Sequence, residues 1–414
     1  MKKSYRILLL ENIHPVAQEQ LQLQGFQVDR RLDSPASEEL RGLLRGYDLL
    51  GIRSKTEIRA PLLEEARHLL GIGCFCIGTN QVDLTPAKEL GIPVFNAPYS
   101  NTRSVAELVI AELVALSRQL GDRNLQAHQG GWLKSADGAR EVRGKTLGIV
   151  GYGHIGTQVS ILAEAMGLKV IYFDIVKKLP LGNAAPCAHL QDLLSRSDFV
   201  TLHVPETPQT KDMMSEREFR KMKKGSFLLN LSRGTVVVIG DLVRALKEKH
   251  LAGCAIDVFP VEPSSNKEKF VSPLQGLPNV ILTPHVGGST EEAQSAIGLE
   301  VAESFTRFLK TGSTSASVNF PHVDLPLTPN ADRIVNVHRN EPGVLGEINS
   351  LVSKNGANIL AQQLSTDSKV GYLIMEVERA EAEALSTDIG KLSRSIRTRL
   401  ISHLDQQSAA TWAT

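Results

Sequence analysis

Cysteine is scarce: the 414 residues contain four, Cys74, Cys76, Cys187 and Cys254. No pair has metal-site or redox spacing, which argues against a thiolate metal centre or a disulfide framework. If Cys74-Phe75-Cys76 lies in a strand, alternation turns both thiols to one face. All four read as small buried hydrophobes in a reducing compartment. An excess of one charge is missing too. The chain has 46 basic and 45 acidic side chains and a formal net charge of +1. This balance gives no broad attraction to nucleic acid or to an anionic membrane surface, so any bound anion must be held by local geometry. Long hydrophobic runs are also lacking. The first apolar stretch is interrupted by Arg6 and stopped at Glu11, too short for a signal peptide, and no later stretch approaches a membrane span. These absences give the expectation of a cytoplasmic protein without nucleic-acid or membrane partners.

What is present is a long globular chain, 42% hydrophobic and 22% charged, with length enough for two or three domains. Short apolar runs alternate with amphipathic stretches over the first hundred residues. They are Ile7 to Leu10, Leu49 to Ile52, Ile72 to Ile77 and Ile92 to Phe95, with a helical composition from Pro15 to Leu23. Such runs predict a parallel sheet covered by helices. Val105 to Leu116 is apolar or small except at Glu107 and Glu112, which predicts an interior helix capped by Asn101, Thr102 or Ser104. Alternating elements resume from Lys145 to Pro284. Thr311 to Asn330 reads as a linker rich in Ser, Thr and Pro. Beyond it, Arg333 to Val337, a helix from Val344 to Asn355, and Tyr372 to Val377 predict a small α+β module. The last dozen residues read as a frayed tail.

The clearest local motif is Gly151-Tyr152-Gly153-His154-Ile155-Gly156, entered by an apolar run and left by an amphipathic stretch. A second run, Val170 to Phe173, ends on Asp174, completing a unit of the length of a dinucleotide-binding βαβ fold. Gly151 permits the tight turn, Gly153 lets backbone approach a pyrophosphate, and Gly156 lets helix and strand pack closely. The pyrophosphate would meet a helix N-terminus. Asp174 would accept hydrogen bonds from ribose hydroxyls and repel a 2′-phosphate, which favours NAD over NADP; the nearby Lys177 and Lys178 keep NADP open.

Three later segments end apolar runs on polar residues beside Gly or Pro. They are Phe227 to Gly234 with Arg233, Ala255 to Pro263 with Asp257 and Glu262, and Val280 to Gly288 with His285. In a doubly wound sheet such strand ends meet where ligands bind. A guanidinium, a carboxylate and an imidazole suit the oxidation of a hydroxy acid. The imidazole takes the hydroxyl proton. The carboxylate orients it and favours its charged form. The arginine grips a substrate carboxylate.

Ser232-Arg233-Gly234, Asp257 through Glu262-Pro263, and Thr283-Pro284-His285 with Gly287-Gly288 resemble the signature segments of the D-isomer-specific 2-hydroxyacid dehydrogenases. Within that family the resemblance extends over nearly the whole chain to the bacterial branch that oxidises 3-phospho-D-glycerate and carries a C-terminal ACT domain. It includes Ile72 to Asp83, Phe95 to Pro98, Asn101 to Glu107, Gly151 to Thr157 and Val337 to Leu345. It implies two doubly wound, Rossmann-like α/β domains plus a ferredoxin-like α+β ACT domain. The implied boundaries are 1–100 with 288–328 for substrate, 101–287 for the dinucleotide, and 329–414 for regulation.

The resemblance implies catalysis by Arg233, Glu262 and His285, without a metal. It implies NAD contacts at Gly151, Gly153, His154, Ile155, Gly156, Asp174, Leu231, Ser232, Asp257, Val286, Gly287 and Gly288. Substrate would lie between the domains, with Arg53 and Ser54 the first choice for its phosphate, Lys134 beside Trp132 the second, and Asn101 nearby. His338, Asn340 and Asn358 would hold L-serine at a subunit interface of a homotetramer, giving feedback on the first step of phosphorylated serine biosynthesis. Two departures stand out. Leu231 replaces a usual Ala, and Val238 replaces a helix-capping Asp or Asn, a role that Asp241 can take over. Two alternatives remain open: a family member acting on glyoxylate, hydroxypyruvate or 2-oxoglutarate, and a non-catalytic NAD-sensing protein on the same fold.

Overall fold

A computed structural model describes residues 4–263 and 267–402. Met1-Lys2-Lys3 and the expected frayed tail beyond Ser402 lie outside the described residues. The chain folds into two compact units, residues 1–100 with 294–414, and residues 101–293.

In the first unit, five parallel strands, β1 (Arg6–Leu9), β2 (Gln27–Arg30), β3 (Leu49–Ile52), β4 (Gly71–Cys74) and β5 (Val94–Asn96), run in the order β2-β1-β3-β4-β5. β3, β4 and β5 are buried along their whole length, which is why they read as unbroken apolar runs. The helix Pro15–Leu23 buries Ala17 and Leu21 on one face of the sheet. On the same face, the helix Glu291–Thr311 brings Val301 and Phe305 against Gly73 of β4, where an added Cβ would lie 2.6 Å from the Phe305 ring. β4 ends at Cys74, so the expected strand alternation stops there. Cys74 is buried, whereas the Cys76 thiol turns to the Gly78 carbonyl at 3.1 Å. None of the four cysteines is in a disulfide.

The second unit holds seven strands, β6 (Thr146–Val150), β7 (Lys169–Phe173), β8 (Ala185–Pro186), β9 (Phe199–Leu202), β10 (Ser226–Asn230), β11 (Leu251–Ile256) and β12 (Val280–Leu282). Their order is β12-β11-β10-β9-β6-β7-β8, with every pairing parallel. The order reverses between β6 and β9, so the crevice for a ligand opens at their carboxyl ends. The helix Thr102–Arg118 packs Val105, Val109, Leu113 and Leu116 into the core of this unit. Asn101 occupies its N-cap position, but no side chain makes a capping hydrogen bond. The helix Ile239–Lys247 likewise begins at Val238 without a side-chain cap. Asp241 does not replace one. Its carboxylate accepts from Glu216 N at 2.9 Å and pairs with Arg244.

Residues 331–402 form a separate sheet in the first unit. Strands β13 (Asp332–Arg339), β14 (Ile359–Thr366), β15 (Val370–Val377) and β16 (Ser395–Ile401) pair antiparallel in the order β14-β15-β13-β16. With the helices Val344–Lys354 and Arg379–Gly390 this is the ferredoxin-like βαββαβ arrangement. The linker before it is packed rather than loose. Ser313, Thr314, Ser317 and Asn319 are buried, and Asn319 Oδ1 accepts from Val94 N at 2.8 Å. Arg333, fully buried, pairs with Glu376 at 2.5 Å and donates to the carbonyls of Thr311, Leu325 and Pro326. A buried ion pair of this kind is tolerated only when its remaining donors are satisfied. Among the described residues no helix is long and apolar enough to cross a membrane.

Candidate active site

The candidate reacting groups of the second unit all follow carboxyl ends of its parallel strands. β6 runs into the glycine turn. Gly151 has φ +92°, and a Cβ there would meet His203 O at 2.2 Å, so no other residue fits without rearrangement. Gly156 is equally confined, 2.3 Å from Gly151 O by the same measure. Gly153 differs: nothing lies within 4 Å of its missing Cβ. It opens the helix His154–Ala165, whose N-terminus has no side-chain cap and no acidic residue in its first turn. Open space in front of an uncapped helix N-terminus suits a pyrophosphate. Asp174 closes the turn, accepting from Tyr152 N and Val176 N, both at 2.8 Å. Its remaining acceptor capacity suits ribose hydroxyls. These residues therefore fit a dinucleotide.

β10 delivers Leu231, Ser232 and Arg233. Asn230, fully buried, fixes the segment by accepting from Ser232 N and Oγ and donating to Arg233 O. The Arg233 guanidinium donates to Ser232 O at 2.7 Å. β11 delivers Asp257 and, five residues on by the loop, Glu262. β12 delivers the turn Thr283 to Gly288. His285 Nδ1 lies 2.9 Å from Glu262 Oε2, and both side chains are partly exposed. The Glu262 hydrogen bond raises the His285 pKa above the ordinary imidazole value, against the opposing effect of burial and the positive charge of Arg233. Burial opposes ionisation of Glu262, but the His285 hydrogen bond and charge outweigh it and hold the carboxyl below its usual range. The arrangement is a proton-accepting imidazole, a carboxylate partner and an adjacent guanidinium.

Behind this pair sits Asp257, 1% exposed. Its carboxylate accepts from Thr283 Oγ1 at 2.7 Å, Val286 N at 2.8 Å and Gly287 N at 2.9 Å, and its carbonyl accepts from His285 N at 2.8 Å. Asp257 therefore shapes the turn that carries His285, whose φ of +55° is unusual for a non-glycine residue. Gly288 lies against the Asn101 side chain, 2.6 Å from Nδ2 to its missing Cβ. Asn101 Oδ1 is buried without a partner.

In the first unit, Arg53 and Ser54 follow β3. A buried carboxylate, Glu11, accepts from Arg53 N at 3.0 Å, Lys55 N at 2.9 Å and Thr56 N at 2.8 Å, while Gln81 donates to Arg53 O. Glu11 reads in the sequence only as the end of an apolar run, because its partners lie more than forty residues away. The Arg53 guanidinium makes no ion pair or hydrogen bond among the described residues, which leaves a cation on a fixed backbone. Lys134, in the second unit, is exposed on a loop beside Trp132, which is 89% exposed.

Residues 110–287 match the model for the D-isomer specific 2-hydroxyacid dehydrogenase NAD-binding domain, and residues 334–397 match that for the AHAS small subunit-like ACT domain. The chain is 50% identical over 400 residues to D-3-phosphoglycerate dehydrogenase of Dictyostelium discoideum, covering 97% of this chain and 98% of that one. It is 50% identical over 403 residues to the enzyme of the same name from Escherichia coli K12, with the same coverage. A crystal structure of D-lactate dehydrogenase from Aquifex aeolicus, complexed with NAD and lactic acid, superposes with a TM-score of 0.67 at 27% identity. It spans 76% of this chain and 99% of that one. The chain belongs to the D-3-phosphoglycerate dehydrogenase family. It is thus a member of the D-isomer-specific 2-hydroxyacid dehydrogenases with an NAD-binding domain and an ACT domain.

In the ACT domain of this family member, the three residues singled out from the sequence differ in setting. His338, on β13, is 3% exposed, and its Nδ1 lies 2.9 Å from Asn336 Oδ1. Desolvation lowers its pKa and so disfavours the charged form of the ring. Asn340 is exposed and donates from Nδ2 to Asp367 O at 2.6 Å, leaving its amide oxygen free to accept. Asn358 is exposed just before β14.

Proposed function

We propose that this chain oxidises 3-phospho-D-glycerate to 3-phosphohydroxypyruvate with NAD. The observation that carries the reading is the 2.9 Å contact between His285 and Glu262 beside Arg233, on a turn shaped by Asp257. Arg233 holds the substrate carboxylate and polarises the neighbouring C2 oxygen. Nδ1 of His285 is engaged with Glu262, so Nε2 takes the proton of the 2-hydroxyl, and Glu262 stabilises the imidazolium that results. NAD, when bound, supplies the acceptor for the hydride that leaves C2. Gly151, Gly153 and the helix N-terminus at His154 bind its pyrophosphate, Asp174 its ribose, and Leu231, Ser232, Val286, Gly287 and Gly288 line the path to the reacting end. Arg53 and Ser54, with Lys134, supply donors for the substrate phosphate, and Asn101 adds an amide.

The reading extends to regulation and assembly. L-Serine binds the ACT domain through His338, Asn340 and Asn358 and lowers activity, and the chain assembles as a homotetramer in the cytoplasm. Residues 1–100 with 288–328 bind substrate, 101–287 bind the dinucleotide, and 329–414 carry regulation.

One assay tests the central claim. NADH consumption is followed with 3-phosphohydroxypyruvate, glyoxylate, hydroxypyruvate and 2-oxoglutarate, with and without L-serine. Preference for the phosphorylated acid is expected. Preference for another acid would reassign the substrate, and no turnover with intact NAD binding would make the chain a sensor. Unchanged activity at saturating L-serine would remove the effector assignment.

A further inference from the structure

The ACT sheet carries a small polar network on its helix-covered face. Ile334, Asn336 and His338 alternate along β13 and so point to one side of the sheet. Ile334 packs there in one cluster with Val344, Ile348 and Ile389 of the two helices. Asn336, fully buried, and His338 follow it on the same side. A buried amide must find partners for its two donor hydrogens and its acceptor oxygen. Asn336 Nδ2 lies 2.7 Å from Ser395 Oγ, 2.9 Å from Thr398 Oγ1 and 3.4 Å from the Arg397 carbonyl, all on β16. Hydroxyls donate or accept, but a carbonyl only accepts, so Arg397 settles which end of the amide faces β16. The nitrogen is turned that way. The amide oxygen is left for the His338 ring, 2.9 Å from Nδ1.

That oxygen has no proton to give, so Nδ1 donates. The uncharged ring, the form that burial favours, carries a single proton, and with it on Nδ1 the other nitrogen is a bare acceptor. Nε2 has no hydrogen-bond partner among the described residues. It lies against Gly371 of β15, where an added Cβ would fall 2.2 Å from it. We propose that Asn336 is a positioning residue that locks His338 as the Nδ1–H tautomer, so that Nε2 accepts a hydrogen bond from an N–H or O–H of the effector. The inference rests on the proposed reading of His338 as an effector contact and deepens it. Asn340 has the same chemistry to offer. Its Nδ2 is spent on Asp367 O at 2.6 Å, which leaves its oxygen to accept. Two acceptors suit a ligand rich in donor hydrogens, such as the ammonium and hydroxyl of an amino acid.

Solid-state nitrogen NMR of the full chain, isotope-labelled at histidine, reads both ring nitrogens, the His338 pair being the one lost in His338→Gln. Expected without ligand are a protonated Nδ1 and a bare Nε2. Added L-serine should shift the Nε2 signal and leave Nδ1 protonated. A proton on Nε2 instead overturns the proposal, whatever L-serine does to activity. So does an L-serine that inhibits but leaves Nε2 unmoved. If Nδ1 is protonated and L-serine neither inhibits nor shifts Nε2, the effector reading falls while the Asn336 lock stands. Substitution gives a second readout. Asn336→Leu keeps much of the bulk and releases the ring. The L-serine concentration for half inhibition should then rise by about tenfold, the scale of one lost hydrogen bond, with activity in its absence within about twofold of the original. Should that variant fail to fold, Gly371→Ala pushes the same ring aside from β15, and a similar rise is expected. Unchanged inhibition in the folded variant overturns the proposal.

Discussion

Two turns of this molecule are built on one plan. In the first unit, Glu11 gathers the backbone N–H groups of Arg53, Lys55 and Thr56. In the second, Asp257 gathers Val286 N, Gly287 N and the Thr283 hydroxyl. Each turn presents one side chain to which the proposed reaction gives a role, Arg53 or His285. They differ in where the backbone strain falls. Around Arg53 the left-handed conformations belong to the anchor, with φ +59° at Glu11 and +52° at Asn12. In the other turn the left-handed residue is His285 itself. An arginine needs only to be present and charged to meet a phosphate, so its own backbone is relaxed. An imidazole that moves a proton must point in one direction, and its backbone is held in the less favoured region to do so.

That contrast can be broken by substitution. The largest effect is expected from His285→Ala, which removes the proton acceptor. kcat should fall by about 10²–10⁴-fold, while NAD binding followed by fluorescence is retained. Loss of both would mean that the turn is a structural element. Next comes Glu11→Ala, which strands three N–H groups. It should lower stability by about 2–4 kcal/mol in denaturant melts and raise KM for the phosphorylated acid. Arg53→Ala touches the presented cation alone. KM for 3-phosphohydroxypyruvate should rise by about 10- to 100-fold with kcat and melting temperature nearly unchanged, the scale of one charge-assisted contact. A fall in kcat instead would show that Arg53 acts at the reacting centre.

The smallest effect concerns pH. Reduction of the 2-oxo acid needs the imidazolium and oxidation of the alcohol needs the neutral ring. The raised His285 pKa therefore keeps reduction active up to that value and lets oxidation rise through it. Glu262→Gln removes the principal cause of the rise. The midpoint of both profiles of kcat/KM should move down, towards the ordinary imidazole value. An unmoved midpoint would assign the titration to another group.

Much of the second unit was legible in the sequence because its chemistry is local. The glycine turn needs glycine at Gly151 for reasons of space, and Asp174 ends the next strand in line with it. Glu262 and His285 could be paired only through the resemblance, because twenty-three residues separate them. Glu112 carried a signal that went unread. It falls three residues after Val109 and four before Leu116, on the buried stripe of its helix, whereas Glu107 sits outside that stripe and pairs with Arg103. Glu11 had none, since its partners are remote. In the ACT domain, β14 and β16 escaped notice because their residues are mostly half-exposed, with polar side chains along Gln362, Gln363, Arg397 and Arg399. Their strand character comes from pairing with β15 and β13. The stretch from Thr311 to Asn330 looked like a tether because Ser and Thr are common in loops, yet those hydroxyls are the hydrogen-bond partners that let it pack.

That tether also bears on where the chain can be cut. The guanidinium of Arg333 belongs to the ACT sheet, but three of the carbonyls that satisfy it belong to Thr311, Leu325 and Pro326. A cut placed at the start of β13 would therefore leave a permanently charged group in dry surroundings on one side and three orphaned acceptors on the other. The sheet and its leash are one packed piece, and the sheet is excised intact only together with the stretch that begins at Thr311.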